Sequence, residues 1–227
     1  MIRTRGLSYT HAGAGAVPLR FPDVDLRQGG TLLLHGRPGS GKSTWLSLIA
    51  GLRGGAGGDL FVAGTQLGTQ RGAEIDAWRA RCIGFVPQKR HLSSAFSVAD
   101  NLALVYFAAG LPRDDAAITR ALAQAGVAGL AAHRPHQLSG AQALRVALAR
   151  AVLLSPPMLL ADDPTAQLDD AAAVDALALL QSAAAVCDAS LVIATPDPRV
   201  LQALPGAQQL DLDETGLQRL VDKREQL

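Results

Sequence analysis

The chain has 227 residues, 48% of them hydrophobic and 18% charged, so its composition excludes a disordered protein and allows a sizeable core. A total of 21 Lys and Arg against 20 Asp and Glu gives a net charge of +1, which argues against a nucleic-acid-binding surface. The start of the chain lacks the apolar core of a signal peptide, and no apolar run reaches the ~20 residues of a membrane helix. We therefore expect a soluble cytoplasmic protein that reaches a membrane only through a partner.

Short apolar segments alternate with helical patterns, which is typical of an α/β fold with much parallel sheet. In chain order, strands are predicted at Arg3–Tyr9, Leu19–Leu26, Thr31–His35, Asp59–Thr65, Cys82–Pro87, Met158–Ala161 and Leu191–Ala194. Helices are predicted through Trp45–Ala50, in two segments between Ser97 and Ala128 that break at Gly110–Pro112, from Ser139 to about Leu154, and over Asp169–Ala185. We find no repeat and no interdomain linker, so the sequence predicts a single domain over residues 1–227, with a charged tail from Asp213.

A phosphate-binding loop is predicted between the third strand and the first helix. The segment reads GRPGSGKST and matches the pattern G-x-x-x-x-G-K-[ST]. Its glycines let successive backbone N–H groups point at phosphate oxygens, and the helix N-terminus faces the same anion. Lys42 would reach the β- and γ-phosphates, and the Ser43 hydroxyl would bind Mg²⁺. A chance glycine-rich turn is the alternative, which the flanking strand and helix disfavour. The predicted nucleotide-binding residues are Gly36, Arg37, Pro38, Gly39, Ser40, Gly41, Lys42, Ser43 and Thr44.

Two carboxylates follow the apolar strand Met158–Ala161. Asp162 is the candidate to hold Mg²⁺ beside the phosphate loop, and Asp163 is the candidate general base for a water aimed at the γ-phosphate. An acidic strand end before a turn, signalled by Pro164–Thr165, is the alternative. The presence of the phosphate loop favours the catalytic interpretation.

The segment Leu138–Gln142 reads LSGAQ at the start of a predicted helix, and here the sequence resembles the ATP-binding cassette (ABC) ATPases, whose signature is LSGGQ. The resemblance covers nearly the whole chain. Tyr9 matches the A-loop aromatic, Gln88 the Q-loop glutamine, Leu168–Asp169 the D-loop, and Ala194–Asp197 the segment that usually reads ATHD. The run LLADDPTAQLD is similar to the wording of the lipoprotein-release and macrolide-export group of this family.

This resemblance implies a fold, cofactors and partners. The fold would be that of a P-loop NTPase of the ABC type, with a mostly parallel core sheet, an antiparallel β subdomain, and a helical subdomain over approximately residues 89–150. The cofactors would be ATP and Mg²⁺. The partners would be a second ATP-binding subunit, identical or different, and a transmembrane permease that docks on about Lys89–Gly110. The protein would then lie on the inner face of the cell membrane.

The resemblance also implies roles for individual residues. Tyr9 would stack on adenine, although an ordinary strand residue is the alternative. Gln88 would coordinate Mg²⁺ and link the nucleotide to the helical subdomain, although it could be a plain polar residue. The signature would seal the partner subunit's γ-phosphate; without the resemblance, its serine would be a plain helix cap. The signature residues are Ser139, Gly140, Ala141 and Gln142. The five histidines are expected at solvent-facing or structural positions.

Three positions depart from the family pattern. Asp163 replaces the usual glutamate and is shorter by one methylene, and a misplacement of ~1 Å can cost about 10²-fold in rate. Pro196 replaces the switch histidine and has no side-chain donor, a loss worth ~3 kcal/mol. Ala141 replaces a signature glycine, with a modest expected effect. We therefore expect ATP binding with slow hydrolysis by Asp163, Gln88 and Lys42, or hydrolysis carried mainly by a site with a better-equipped partner chain.

Other functions are compatible with parts of the sequence. The first alternative is a non-hydrolysing, ATP-gated regulatory or structural subunit, which the substitutions at Asp163 and Pro196 would suit. An ABC protein acting on ribosomes or DNA is disfavoured, because the chain has no tandem copy, zinc motif or basic arm. Small-molecule kinases and GTPases share the phosphate loop but would not explain LSGAQ or Gln88. The group resemblance favours export, extraction or mechanical signalling over uptake, and the cargo is not readable.

Overall fold

The computed structural model describes residues 1–13, 17–69 and 72–215, so most of the predicted charged tail lies outside the described residues. The strands are β1 (Ile2–Tyr9), β2 (Leu19–Arg20), β3 (Val24–Leu26), β4 (Thr31–His35), β5 (Gly57–Val62), β6 (Thr65–Gln66), β7 (Ile83–Val86), β8 (Met158–Asp162), β9 (Ser190–Ala194) and β10 (Gln208–Asp211). The helices are α1 (Lys42–Ile49), α2 (Ala73–Cys82), α3 (Val98–Ala109), α4 (Asp115–Gln124), α5 (Gly140–Val152), α6 (Asp170–Val186), α7 (Pro198–Ala203) and α8 (Leu212–Thr215).

A five-stranded parallel sheet forms the centre, in the order β10-β4-β9-β8-β7. Leu32–Leu34, Met158–Ala161 and Leu191–Ala194 are buried throughout, because helices and the second sheet cover both faces. The carboxyl ends of parallel strands share one edge, so the segments that follow β4, β8 and β9 meet there. The predicted α/β fold with a parallel core sheet is confirmed.

The second sheet is antiparallel, in the order β2-β1-β5-β6, with β3 also paired to β1. The prediction of one strand over Leu19–Leu26 is wrong: Pro22 has no N–H to donate, and residues 21–23 separate two short strands. The prediction of one strand over Asp59–Thr65 is also wrong, because Ala63 and Gly64 form a turn at positive φ, 46° and 80°.

The apolar layer between the two sheets contains both tryptophans. Trp45, on α1, has 0% of its surface exposed, and Trp78, on α2, has 6%. Among the described residues, their two indole N–H groups are buried without a hydrogen-bond partner. The helix that follows the phosphate loop is therefore anchored by packing alone at this point.

A separate apolar core joins α3, α4 and the middle of α5. The Ser97 hydroxyl caps α3 by accepting a hydrogen bond from the Asp100 N–H (3.1 Å). The helix ends at Gly110, whose φ of 66° is the left-handed conformation that glycine adopts without strain. The predicted break at Gly110–Pro112 is therefore confirmed.

Helix α5 follows the signature segment and packs closely on β7. A Cβ atom on Gly84 would lie 2.4 Å from the Ala151 carbonyl oxygen, so only glycine lets strand and helix approach this closely. The helix begins with a capping box: the Ser139 hydroxyl accepts from the Gln142 N–H (3.2 Å), and the Gln142 side chain accepts from the Ser139 N–H (2.9 Å).

Four elements were not anticipated from the sequence: α2, α7, α8 and β10. Helix α2 has mostly exposed or half-buried residues, so its apolar periodicity is weak. Strand β10 is short and lies at the sheet edge, with its first two residues exposed, so it has no run of core residues to reveal it. None of the helices within residues 1–13, 17–69 and 72–215 has the length and apolar character needed to span a lipid bilayer.

Candidate nucleotide-binding site

The phosphate loop Gly36–Thr44 connects the carboxyl end of β4 to α1. Gly36, Gly39 and Gly41 have φ of 142°, 84° and 100°, values that L side chains rarely adopt. The Lys42 ammonium donates hydrogen bonds to the carbonyls of Gly36 (2.5 Å) and Arg37 (2.8 Å). The backbone is thus wound around a single ammonium group, in the manner expected of a loop that cradles phosphate.

The electrostatics around Lys42 combine burial with nearby acids. Burial lowers the pKa of the ammonium, and the carboxylates of Asp213, Asp162 and Asp163 act in the opposite direction. Asp213 was not anticipated: it lies just beyond β10 and accepts a hydrogen bond from the Arg37 N–H (2.8 Å). Its carboxylate therefore helps to set the shape of the phosphate loop.

Asp162 ends β8 within reach of the phosphate loop. Burial raises the pKa of its carboxyl, and the neighbouring Asp163 carboxylate acts in the same direction. A hydrogen bond from Ser43 and the charge of Lys42 act in the opposite direction and lower it. A half-buried carboxylate bonded to a hydroxyl at a helix N-terminus is a site that a cation would stabilise. The oxygen donors of Asp162, Ser43 and Gln88 are the type that Mg²⁺ prefers. No cluster of three or more His, Cys, Asp or Glu side chains in the described residues could hold a metal by itself.

Asp163 occupies a constrained turn directly after β8. Its φ is 47°, and its N–H donates to the Ala194 carbonyl (2.7 Å). One carboxylate oxygen accepts from the Gln88 amide (3.1 Å) and the other from the Thr195 hydroxyl (3.2 Å). The predicted pair Gln88 and Asp163 therefore meet, and Thr195 is an additional partner.

Pro196 is exposed at the same edge and lines the cavity, at the position where the resemblance predicts an imidazole. The next residue, Asp197, is engaged elsewhere: it accepts from the Thr165 hydroxyl (2.7 Å) and pairs with Arg199 (2.7 Å). The Arg199 guanidinium lowers the pKa of the Asp197 carboxyl to about 2. Burial alone would raise this pKa, and the hydrogen bond from Thr165 lowers it further. Asp197 therefore caps α7 as a carboxylate and has no free proton to offer the cavity.

Tyr9 lies beside the cavity, and His11 lies in its wall. The two rings are edge to face with centroids 5.0 Å apart, and the Arg53 guanidinium lies 5.8 Å from the Tyr9 centroid. A ring nitrogen of His11 is 3.4 Å from the Thr44 hydroxyl. His11 is exposed, as expected for the histidines, and it also lines the cavity, which we did not predict from the sequence. Its spacing of two from Tyr9 was the available signal, because such side chains share a face of an extended chain.

These elements enclose one cavity of about 510 Å³. Its walls are His11, Val17, Leu19, Pro38, Gly39, Gly41, Lys42, Ser43, Thr44, Gln88, Asp162, Asp163 and Pro196. The remaining predicted phosphate-loop residues, Gly36, Arg37 and Ser40, are not part of this wall but bond to the Lys42 ammonium. The residues Ser139, Gly140, Ala141 and Gln142 lie at the start of α5 and are not part of this wall.

Comparison with known proteins identifies the family. The family described as ABC transporter matches residues 19–166 of this chain. The chain belongs to the ABC transporter family. The lipoprotein-releasing system ATP-binding protein LolD of Chromohalobacter salexigens is 34% identical over 215 residues, covering 93% of this ABC protein and 91% of LolD. LolD of Novosphingobium aromaticivorans is 39% identical over 177 residues, covering 76% and 79% of the two chains.

Solved structures show the same ABC fold. A dimeric structure of MJ0796, a bacterial ABC transporter cassette, has a TM-score of 0.83 at 27% identity and covers 93% of this chain and 95% of the other. A dimeric post-hydrolysis state of MJ0796 bound to ADP and Pi has a TM-score of 0.81 at 27% identity, with 89% and 91% covered. The chain is therefore an ABC transporter nucleotide-binding subunit, as the resemblance implied.

Proposed function

We propose that this ABC subunit binds Mg²⁺-ATP in the cavity at its phosphate loop and closes with a second ATP-binding subunit around it, and that closure drives a transmembrane permease. The observation that carries this proposal is the convergence of Lys42, Asp162 and Gln88 on one cavity in an ABC-family chain. Lys42 and the loop N–H groups bind the phosphates, and Val17 and Leu19 offer apolar wall to the nucleoside. Tyr9 stacks on adenine, and His11 borders the same space.

Ser43, Asp162 and Gln88 are the residues that would hold Mg²⁺, directly or through water. When bound, the ion supplies positive charge that offsets the charge of the phosphate oxygens. The chain's own contribution is to hold these oxygen donors in place: Ser43 is bonded to Asp162, and Gln88 to Asp163.

The signature segment supports a composite site built from two subunits. Ser139 and Gln142 present a helix N-terminus at the start of α5, outside the wall of the chain's own cavity. A helix N-terminus attracts anions, so a second subunit's γ-phosphate is a suitable partner. The MJ0796 structures are described as dimeric, which supports this arrangement. The second subunit is either an identical chain or a different ABC subunit.

Replacing Ser139 with aspartate distinguishes two roles of this residue: capping α5 and closing on the γ-phosphate of the second subunit. Aspartate is as effective a helix cap as serine, so the free energy of unfolding should change by less than ~0.5 kcal/mol. The new carboxylate would oppose the γ-phosphate, and we expect ATP-dependent dimerisation to weaken by ~10²-fold or more. Thermal unfolding and sedimentation equilibrium with Mg²⁺ and a non-hydrolysable ATP analogue measure the two effects.

The matched variant is Ser139→Ala, which loses the cap and should cost about 1 kcal/mol of stability. If the serine only caps the helix, the alanine variant will be the more impaired in both assays. Dimerisation of Ser139→Asp at wild-type affinity would refute the composite site.

We further propose that hydrolysis is slow. Asp163 retains a carboxylate, but it is one methylene shorter than glutamate and is turned by a positive φ. Pro196 lines the cavity without a donor for the transition-state charge. Both departures act on the chemical step, whereas Lys42, Ser43 and Asp162 are in place for binding.

A non-hydrolysing regulatory subunit is the second candidate, and Asp163→Asn distinguishes the two. Asparagine keeps the shape and the hydrogen bond from Gln88 but cannot accept a proton. If Asp163 is the general base, we expect kcat of the complex to fall by ~10²-fold or more with little change in ATP affinity. Unchanged turnover and unchanged cellular function would favour the non-hydrolysing subunit.

We propose that the permease docks on about Lys89–Gly110. This segment belongs to a helical subdomain over approximately residues 89–150, within one domain over residues 1–227. Exposed apolar side chains cluster there around a depression of about 470 Å³, including Phe96, Leu104 and Phe107, the last 86% exposed. A permease segment covering them would hold the subunit at the inner face of the membrane. The LolD relatives carry the name of a lipoprotein-releasing system, which supports extraction or export as the process.

A further inference from the structure

We propose that Arg90 is a positioning residue for ATP hydrolysis, because its guanidinium joins the loop that carries Gln88 to the turn that carries Asp163. The inference rests on the proposed function and adds to it a residue that holds the two reacting side chains in register. Arg90 lies four residues after β7, and neither the ABC motifs nor its spacing singled it out.

The guanidinium makes two hydrogen bonds to backbone carbonyls. One nitrogen donates to the Pro87 carbonyl (2.9 Å), directly before Gln88, and another donates to the Pro164 carbonyl (3.3 Å), directly after Asp163. The two carbonyls belong to segments that are far apart in sequence. A planar guanidinium with several fixed donors can bridge them in one geometry, which a lysine cannot do.

A second arginine holds Arg90 in place. Arg150, on α5, donates to the carbonyls of Arg90 (2.8 Å) and His91 (2.9 Å). The φ of His91 is 46°, so the loop adopts a left-handed conformation at the residue whose carbonyl accepts a hydrogen bond from Arg150. Two half-buried arginines therefore form a chain of contacts from the helix of the signature segment to both sides of the hydrolytic site.

Asp163 is the residue that most needs this support. Its φ of 47° is a strained conformation, and such strain persists only where neighbours hold the backbone. The Ala194 carbonyl holds the Asp163 N–H on one side, and Arg90 holds the Pro164 carbonyl on the other.

The test uses Arg90→Gln and Arg90→Lys in the assembled transporter complex. We expect Arg90→Gln to lower kcat by tenfold or more, with KM and the dissociation constant for ADP within twofold of wild type. Arg90→Lys, whose ammonium can make one of the two hydrogen bonds but not bridge both carbonyls, should recover only part of kcat. Arg81→Gln on the exposed face of α2 is the matched control and should leave kcat unchanged.

Two further measurements keep the proposal falsifiable. In a double-mutant cycle, Arg90→Gln and Gln88→Ala should be non-additive in kcat, and Mg²⁺-dependent trapping of ADP with orthovanadate should weaken in Arg90→Gln while ADP binding does not. A lower melting temperature with wild-type kcat and wild-type trapping would overturn the inference. Failure of the wild-type chain to bind nucleotide would instead refute the proposed function, and this inference with it.

Discussion

Replacing Pro196 with histidine should raise the kcat of ATP hydrolysis by about 10²-fold, because it adds the one donor that the cavity wall lacks at this position. Pro196 is exposed at the cavity edge, next to Thr195, which already bonds to Asp163. An imidazole there has room to donate to the charge that develops on the γ-phosphate. The measurement is steady-state phosphate release from the complex at saturating Mg²⁺-ATP.

Pro196→Ala is the control for this result, because it removes the ring without adding a donor and should leave kcat close to wild type. Adding Asp163→Glu to Pro196→His should raise kcat further, since the longer side chain restores the reach of the usual base. Two histidine-containing variants with wild-type turnover would show that the chemical step is not limited by the missing donor, and the proposal of slow hydrolysis would fail.

Lys42→Ala should weaken ATP binding by ~10²-fold or more. The ammonium already bonds to the carbonyls of Gly36 and Arg37, so it is preorganised at the mouth of the loop, and charge-assisted bonds to phosphate contribute about 1.5–3 kcal/mol each. Isothermal titration calorimetry with Mg²⁺ and a non-hydrolysable ATP analogue gives the dissociation constant.

Arg81→Ala is the control, because it also removes one positive charge but Arg81 is exposed on α2 and is not part of the cavity wall. Its dissociation constant should match wild type. If Lys42→Ala binds the nucleotide with unchanged affinity, the phosphate loop is not the nucleotide-binding site, and the proposed composite dimer site is refuted with it.

The parts of the site that the sequence predicted are those formed by short contiguous segments. The phosphate loop and the Asp162–Asp163 pair each follow a strand of the parallel sheet, and strand ends of such sheets share an edge. Gln88 follows β7 and joins them by the same rule. The spacing of residues along the chain was sufficient for these positions because one sheet orients them all.

The residues that the sequence did not predict reach the site through long-range contacts. Asp213 is 176 residues from Arg37, and Arg90 is 74 residues from Pro164. No local pattern marks such pairs. Strand β10, which carries Asp213 to the loop, is a short edge strand with two exposed residues, so its register and position follow from its pairing with β4.

The predicted strands Leu19–Leu26 and Asp59–Thr65 are each interrupted, and in both the cause is local and visible in the sequence. Pro22 cannot donate in a ladder, and Gly64 follows a residue that itself turns at positive φ. In Leu19–Leu26 the apolar alternation changes phase between the two short strands, from Leu19 and Phe21 to Val24 and Leu26, and this change marks the break.

The burial of the two indoles gives the protein an optical reporter that needs no label. Trp45 sits on the helix that starts at Lys42, and its fluorescence depends on an environment without water or a hydrogen-bond partner among the described residues. The Trp78 N–H likewise has no partner among the described residues, so Trp78→Phe removes no described hydrogen bond and leaves a single tryptophan. Changes in its emission on mixing with nucleotide would report changes in the packing around this helix.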